Sequence, residues 1–416
     1  MKTTIVACLA LLAAKDGILS LAIRENAERL TSEARGLHEP GDGSLLIDSP
    51  ILFWTWNSAG KNVSLDYAAE RLAQSASDSG AKMIVTCQTE AMESVYSSLA
   101  PFGWKLTAGG RHSGSTGLNG GEVFNEQILA VFVKSIFEVD ASASKETEAG
   151  GGGGYVSRLK QWAKGEINEG TGKVGKMLRW ISGKGKLPSM SVRFPGSSSV
   201  MVTDSFLYHA DMKGKGGVGA RLTDGEASLH VACAHLDSDS FDARNLQVDG
   251  FLEKFPDGAT AQVMLGDLNY RLQSTAESKL RFQLLGMPGE RPELARYDPL
   301  DSAEAASSLL SKHNFQCNSP YKLYPPTYKR GIDEMECRDL TSKGAVQTCY
   351  ASGLKSLSKE KRQGWLEVGW LDRLCWTIRK PGYSVEMLSD LGWEDELRSD
   401  HMPVAWTMQL RPSRVE

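Results

Sequence analysis

A series of polar residues sits at the ends of apolar, strand-like runs, and the side-chain types suit the hydrolysis of a phosphate ester. Asn57 follows FWTW, Glu90 follows IVTCQT, and His235 closes HVACAH. Asp267 and Asn269 close VMLGDLN, Asp372 lies within WLDRLCW, and Asp400–His401 precede MPVAWTMQL. One such residue alone reads as a cap or turn former. The whole set reads as a site, because ligand and catalytic groups of α/β folds collect outside strand ends. Asn57 and Glu90 offer hard oxygens of the kind Mg²⁺ takes while keeping its waters. A neutral His401 could take a proton or steady a phosphoryl oxygen, with a buried Asp fixing its tautomer. Asp267 is a second candidate base, with Asn269 a neutral donor two residues on. A metal, a His–Asp pair and an Asp/Asn pair suit in-line attack of water on phosphorus. No Cys-x5-Arg loop is present to support a phosphocysteine route.

These residues need a sheet to hold them. The runs 51–56, 82–87, 128–134, 228–236, 261–268, 371–378 and 402–410 are short, apolar and rich in β-formers, and they predict buried strands. Helical spacing of Tyr67, Leu72 and Ala76 predicts a helix over 66–80, and a second is expected over 242–255. Strands with interspersed helices imply an α/β layered domain. No internal repeat is visible.

The 416 residues admit two or three domains or one elaborated α/β domain. Lys and Arg total 47 against 51 Asp and Glu, a net charge of −4, which disfavours a chain built to coat nucleic acid. A hydrophobic fraction of 41% supports a packed core rather than disorder. No run of apolar residues is long enough for an ordinary membrane span.

Residues 1–22 combine a positive end with the short apolar run TTIVACLALLAA, which suits a signal or targeting peptide; an amphipathic N-terminal helix is the other reading. Residues 23–49 form an N-terminal extension. Cys87, Cys233 and Cys375 fall in apolar runs and are expected as small core residues. Cys317, Cys337 and Cys349 lie in a polar region and could make one bridge with one residue over. No spacing suits zinc. The localisation stays open between a secretory compartment and a membrane-associated cytoplasmic protein.

Two insertions interrupt the pattern. Residues 141–199 open on a glycine run and turn basic and aromatic, either a solvated insertion or, through 155–195 with Trp162, Leu178 and Trp180, a surface for anionic lipid. Residues 330–364 are polar and carry no readable chemistry.

The strings GDLNYR (266–271), PPTYK (325–329), WLDR (370–373) and SDHMPV (399–404) resemble the inositol polyphosphate 5-phosphatases of the endonuclease/exonuclease/phosphatase superfamily. KGKGGVGARL (213–222), AHL (234–236), RN (244–245), TWNSAG (55–60) and QTE (88–90) continue the likeness in the same order, over about residues 50–411. The resemblance implies a four-layer α/β/β/α sandwich with two packed mixed sheets. It implies that Asn57 and Glu90 hold Mg²⁺, that Asp267 activates or positions water, and that Asn269 and His235 contact the scissile phosphate. His401, oriented by Asp372, would stabilise developing charge, and Asp400 would complete the metal-side network. Tyr328, Lys329 and Arg373 would contact a neighbouring 4-phosphate, where cationic donors form charge-assisted bonds. Lys215 could line the entrance or belong to a glycine-rich turn, and Arg271 could clamp the Gly266–Asn269 turn or touch substrate.

The chain departs from the pattern at Ala59, where a second Asn is usual, at Thr89, which separates Gln88 from Glu90, at Gly214 and at Arg330. The function so implied is Mg²⁺-dependent removal of the 5-phosphate from a phosphoinositide or soluble inositol polyphosphate, with no nucleic-acid partner expected and the oligomeric state open. A nuclease or sphingomyelinase-type phosphodiesterase of the same superfamily, and a weakened phosphoinositide-binding module, are the alternatives. A module that only binds would not need Asp267, Asn269, Asp372 and His401 together.

Overall fold

The computed structural model describes most of residues 44–413; the larger segments outside it are 60–64, 92–97, 114–125, 135–189, 192–200, 210–214, 273–288, 302–308 and 356–367. The expected leader and most of the basic insertion therefore lie outside the described residues.

Alternation of side chains along each strand dictates the layering. The first sheet holds β1 (Ile51–Asn57), β2 (Met83–Ala91), β3 (Trp104–Ser113), β4 (Glu126–Lys134), β12 (Tyr383–Gly392) and β13 (Val404–Pro412), in the order β12-β13-β1-β2-β4-β3. The second runs β10-β11-β9-β8-β7-β6-β5, from β5 (Met190–Ser191), β6 (Met201–His209), β7 (Gly216–Thr223), β8 (Ser228–His235), β9 (Ala261–Asp267), β10 (Gln316–Cys317) and β11 (Asp372–Ile378). Among the described residues, only β1 with β2 and β8 with β9 pair in parallel; the other strand pairings there are antiparallel.

Ile51, Phe53, Val85, Val231, Val263, Leu265, Leu374 and Trp406 meet between the sheets in one core. Their alternates, Leu52, Trp54 and Ile84, pack outward under helix α1 (Asp66–Asp78), whose buried face is Ala68, Ala69, Leu72 and Ala76. On the other side, Ala232, Ala234 and Met264 pack under α2 (Phe241–Leu252) through Val248 and Phe251. The result is the four-layer α/β/β/α sandwich. Tyr67, expected on the buried face of α1, points out instead, and its hydroxyl donates to Asp395 at 2.8 Å.

The cysteines correct the sequence reading. Three disulfides, Cys87–Cys233, Cys317–Cys375 and Cys337–Cys349, use every cysteine but Cys8. Cys87 and Cys233 are core residues, but inward-facing alternates of β2 and β8 put them against each other across the sheets. Cys375 bridges to Cys317, its register partner on β10. The 330–364 segment is also more ordered than its polarity suggested: Cys337–Cys349 ties the helical turn Glu334–Cys337 to the helix Lys343–Lys355.

Cys87–Cys233 closes 146 residues of chain, so its removal by a Cys87→Ala/Cys233→Ala double substitution should destabilise the protein by about 3–5 kcal/mol in the chain-entropy account. Denaturant midpoints of the two proteins check this. A thiol titration of the unfolded, unreduced chain should find none of these six sulfurs free.

Candidate active site

Polar residues occupy the inward-facing register where the two-sheet core reaches the strand ends. Along β1, positions 51 and 53 face the core, and Asn57 continues that parity. Asp267 continues Val263 and Leu265, and His235 continues Val231 and Cys233. Parallel pairing sets His235 opposite Asp267, and antiparallel pairing sets Asp372 opposite Asp267 on the other side. Gly266 makes this approach feasible: a Cβ there would stand 2.1 Å from the Ala234 carbonyl oxygen, and its φ is +132°.

Glu90 reaches the site through a β-bulge. β2 pairs Gln88 with Ile128 and then Ala91 with Glu126, so two residues stand opposite one on β4. Thr89 continues the ladder beside Asn57, while Glu90 turns left-handed at φ 48°. The extra Thr89 is absorbed by this bulge, and the carboxylate on the cavity wall is Glu90.

The cavity is about 210 Å³ and is lined by Asn57, Ala59, Glu90, Lys215, His235, Ser238, Asp267, Asn269, Arg271, Tyr328, Asp400 and His401. At its base His401 Nδ1 lies 2.8 Å from Asp372 Oδ2, and His401 Nε2 faces Asp267 Oδ2 at 3.8 Å. His235 Nε2 is 3.4 Å from the same Asp267 oxygen and 3.6 Å from Glu90. Asn57 Nδ2 donates to Asp267 at 2.9 Å. The Asn269 side chain donates to the Leu236 carbonyl at 3.0 Å, and its backbone is left-handed at φ 53°. Tyr328 packs its ring 4.4 Å from that of His401.

Electrostatics separate the two central groups. Burial opposes charge on His401, but the carboxylates of Asp372 and Asp267 overcome it and raise its pKa to about 9. Burial likewise opposes charge on Asp267, yet His401, His235 and Lys215 hold its carboxyl far below the ordinary range. Burial lowers Lys215, partly offset by Asp267 and Glu90. The neutral-pH site therefore pairs an Asp267 carboxylate with a His401 imidazolium, the separation of an acid and a base that hydrolytic sites use.

The sequence-derived residues do not all converge. Asn57, Glu90, Lys215, His235, Asp267, Asn269, Tyr328, Asp400 and His401 share the cavity, and Asp372 backs His401. Lys215 is a wall residue, with its Nζ 2.5 Å from His235 Nε2. Lys329 sits behind the wall, its Nζ donating to Asp400 Oδ2 at 2.6 Å.

Arg373 is a correction. As the neighbour of Asp372 on β11 it alternates to the opposite face, where it is fully buried. Its guanidinium donates to Asp298 at 2.7 Å, to Asn318 Oδ1 at 3.2 Å and to the Asn318 carbonyl. It is not among the residues that line the cavity. Arg373→Ala should therefore cost about 3–5 kcal/mol of stability by stranding Asp298. It should leave the kcat/KM ratio between 4-phosphorylated and 4-unphosphorylated substrates unchanged, a pair of measurements that separates the two roles.

Ser238 lines the cavity without having been expected as a site residue, and Arg271, expected as a clamp of the turn or a substrate contact, lines it too. Arg271 does clamp the turn, donating to Asn269 Oδ1 at 2.9 Å, and also stands 5.0 Å above the Tyr328 ring. Its place in GDLNYR was the available signal. Helix α2 secures the other wall: Gln247 accepts from Asp237 N at 2.7 Å and Arg244 donates to the Asp237 carbonyl at 3.0 Å.

The donor set fits a hard divalent ion. Glu90, Asp267, Asp400 and the Asn57 amide border one cavity. Among the described residues no three His, Cys, Asp or Glu side chains are grouped to hold a metal by themselves. An ion held here would keep most of its waters, as Mg²⁺ does.

No protein-family model and no curated protein matches the chain. Among solved structures it is similar to the inositol polyphosphate 5-phosphatase domain of SPsynaptojanin in complex with inositol (1,4)-bisphosphate and calcium, at 14% identity over 88% of this chain and 86% of that one, TM-score 0.49. It is also similar to Cimex nitrophorin in its ferrous NO complex, at 12% identity, 87% and 98% coverage and TM-score 0.49. An endonuclease/exonuclease/phosphatase from Bacteroides vulgatus gives 13% identity, 88% and 100% coverage and TM-score 0.39. Each is a likeness in overall outline, at 14% identity or less.

Proposed function

We propose that this protein is a phosphoesterase that removes the 5-phosphate of an inositol polyphosphate or phosphoinositide by in-line attack of water. The observation that carries the reading is the Asp267–His401–Asp372 arrangement, an ionised carboxylate and a carboxylate-held imidazolium facing one polar cavity. Asp267 orients the attacking water and accepts its proton as the new P–O bond forms and the bond to the C5 oxygen breaks, the leaving oxygen taking its proton from solvent. His401 holds a proton at Nε2 and donates to a non-bridging phosphoryl oxygen as charge develops there. Its Nδ1–H stays on Asp372. Asn269 and His235 place the phosphoryl group between them. Asn57 and Glu90 would hold Mg²⁺, which supplies Lewis-acid stabilisation of phosphate charge when bound. Lys215 and Arg271 face neighbouring anionic substituents, with Lys329 in reserve behind Asp400.

A second reading, hydrolysis of a phospholipid headgroup diester outside the cytosol, is favoured by one observation. Three disulfides in one domain suit an oxidising compartment.

Phosphate release from a panel of inositol phosphates and phosphoinositides, with and without Mg²⁺, tests the first reading, with sphingomyelin and single-stranded DNA in parallel. Mg²⁺-dependent release confined to 5-phosphorylated members supports it. Phosphocholine release or strand scission without free phosphate would replace it.

A further inference from the structure

We propose that Thr327 is a positioning residue for the Asp372–His401 pair, an inference that rests on reading that pair as the charge-stabilising element of the reaction. Thr327 is fully buried in the extended PPTYK segment and touches no wall of the cavity. Its hydroxyl oxygen accepts from Leu371 N at 2.9 Å and from Asp372 N at 3.1 Å. Its carbonyl accepts from Met402 N at 2.8 Å. One residue thus binds the backbone of Asp372, which opens β11, and of the residue after His401, just ahead of β13 in the other sheet.

The segment carrying Thr327 is itself fixed. Tyr328 and Gly369 exchange two backbone bonds, at 3.0 and 2.7 Å. Trp370 Nε1 donates to the Tyr324 carbonyl at 3.2 Å, and the Tyr350 hydroxyl donates to the Pro326 carbonyl. Two backbone donors at the start of β11 thus converge on one hydroxyl oxygen. β11 and β13 belong to different sheets, so no ladder fixes Asp372 against His401. Thr327 supplies that cross-sheet tie.

Valine has the shape of threonine without the hydroxyl, so Thr327→Val removes the tie and leaves the packing. In the full chain it should lower kcat by about 10- to 100-fold, the cost of a small misplacement, with KM within about threefold. Thr327→Ser, which keeps the hydroxyl, should restore kcat to within about threefold of wild type. A readout needing no substrate is the downfield proton resonance of His401 Nδ1–H, assigned by its loss in Asp372→Asn. It should persist in Thr327→Ser and shift or broaden in Thr327→Val.

A folded Thr327→Val with wild-type kcat and an unmoved resonance overturns the proposal. So does a Thr327→Ser that loses the resonance, which decides the matter even where the valine variant fails to fold. If wild-type protein hydrolyses no phosphoester while the resonance responds as expected, the functional reading has failed and the positioning role stands.

Discussion

Asp267→Asn is expected to lower kcat by about 10²- to 10⁴-fold, the range for loss of a positioned general base. The substitution keeps the shape of a fully buried side chain and removes only its charge. That charge has three dependants in the cavity: His401, His235 and Lys215 all hold Asp267 in its ionised form. By reciprocity the carboxylate holds His401 protonated, so the variant should also show His401 titrating at lower pH. Single-turnover kinetics on the best substrate, with a His-selective NMR titration of the same protein, check both parts. A residual rate within tenfold of wild type would remove Asp267 from the mechanism.

His401→Ala should cost about 10²- to 10⁴-fold in kcat, with the folded structure kept. Its pH signature is more diagnostic than its size. The folded pKa is raised from 6.5 to about 9, so His401 is charged in both folded and unfolded protein below pH 6.5. Its contribution to stability is fully present there and is lost as pH rises through about 9. If the imidazolium is the working form, the alkaline limb of kcat in wild type should fall near the same value. Asp372→Asn removes the carboxylate that bonds Nδ1 and should move that limb to lower pH, whereas a limb unmoved in Asp372→Asn would mean another group sets it.

Much of the scaffold was legible because one physical rule wrote it. The seven apolar runs expected as strands all became strands, since each needed two buried faces and the two-sheet sandwich supplies them. The helix over 66–78 was visible from its one apolar stripe, whereas the helix over 241–252 buries Arg244 and Gln247 beside Val248 and Phe251. Strands β3, β6, β7 and β12, and the two-residue strands β5 and β10, escaped detection. β7 starts within the KGKGG stretch, for which a glycine-rich turn was one of two readings, and Gly217 is what allows it against β8, where a Cβ would stand 2.0 Å from the Cys233 carbonyl oxygen. β12 alternates exposed and half-buried residues and carries almost no apolar signal.

The sequence by itself determined which chemistry this cavity holds: Asn57, Glu90, His235, Asp267, Asn269, Asp372, Asp400 and His401 each mark a strand end or the turn beside one, and strand ends converge when strands pair. Tertiary structure alone decided the rest, because each remaining point depends on direction or on distant partners. The bulge in β2 chose Glu90 for the wall. Alternation along β11 turned Arg373 away from the cavity and onto Asp298. Cys87 met Cys233 across 146 residues because two sheets present them to the same core. Local patterning specifies which face a residue takes within its own element; which other residue waits on that face is fixed only when the layers pack.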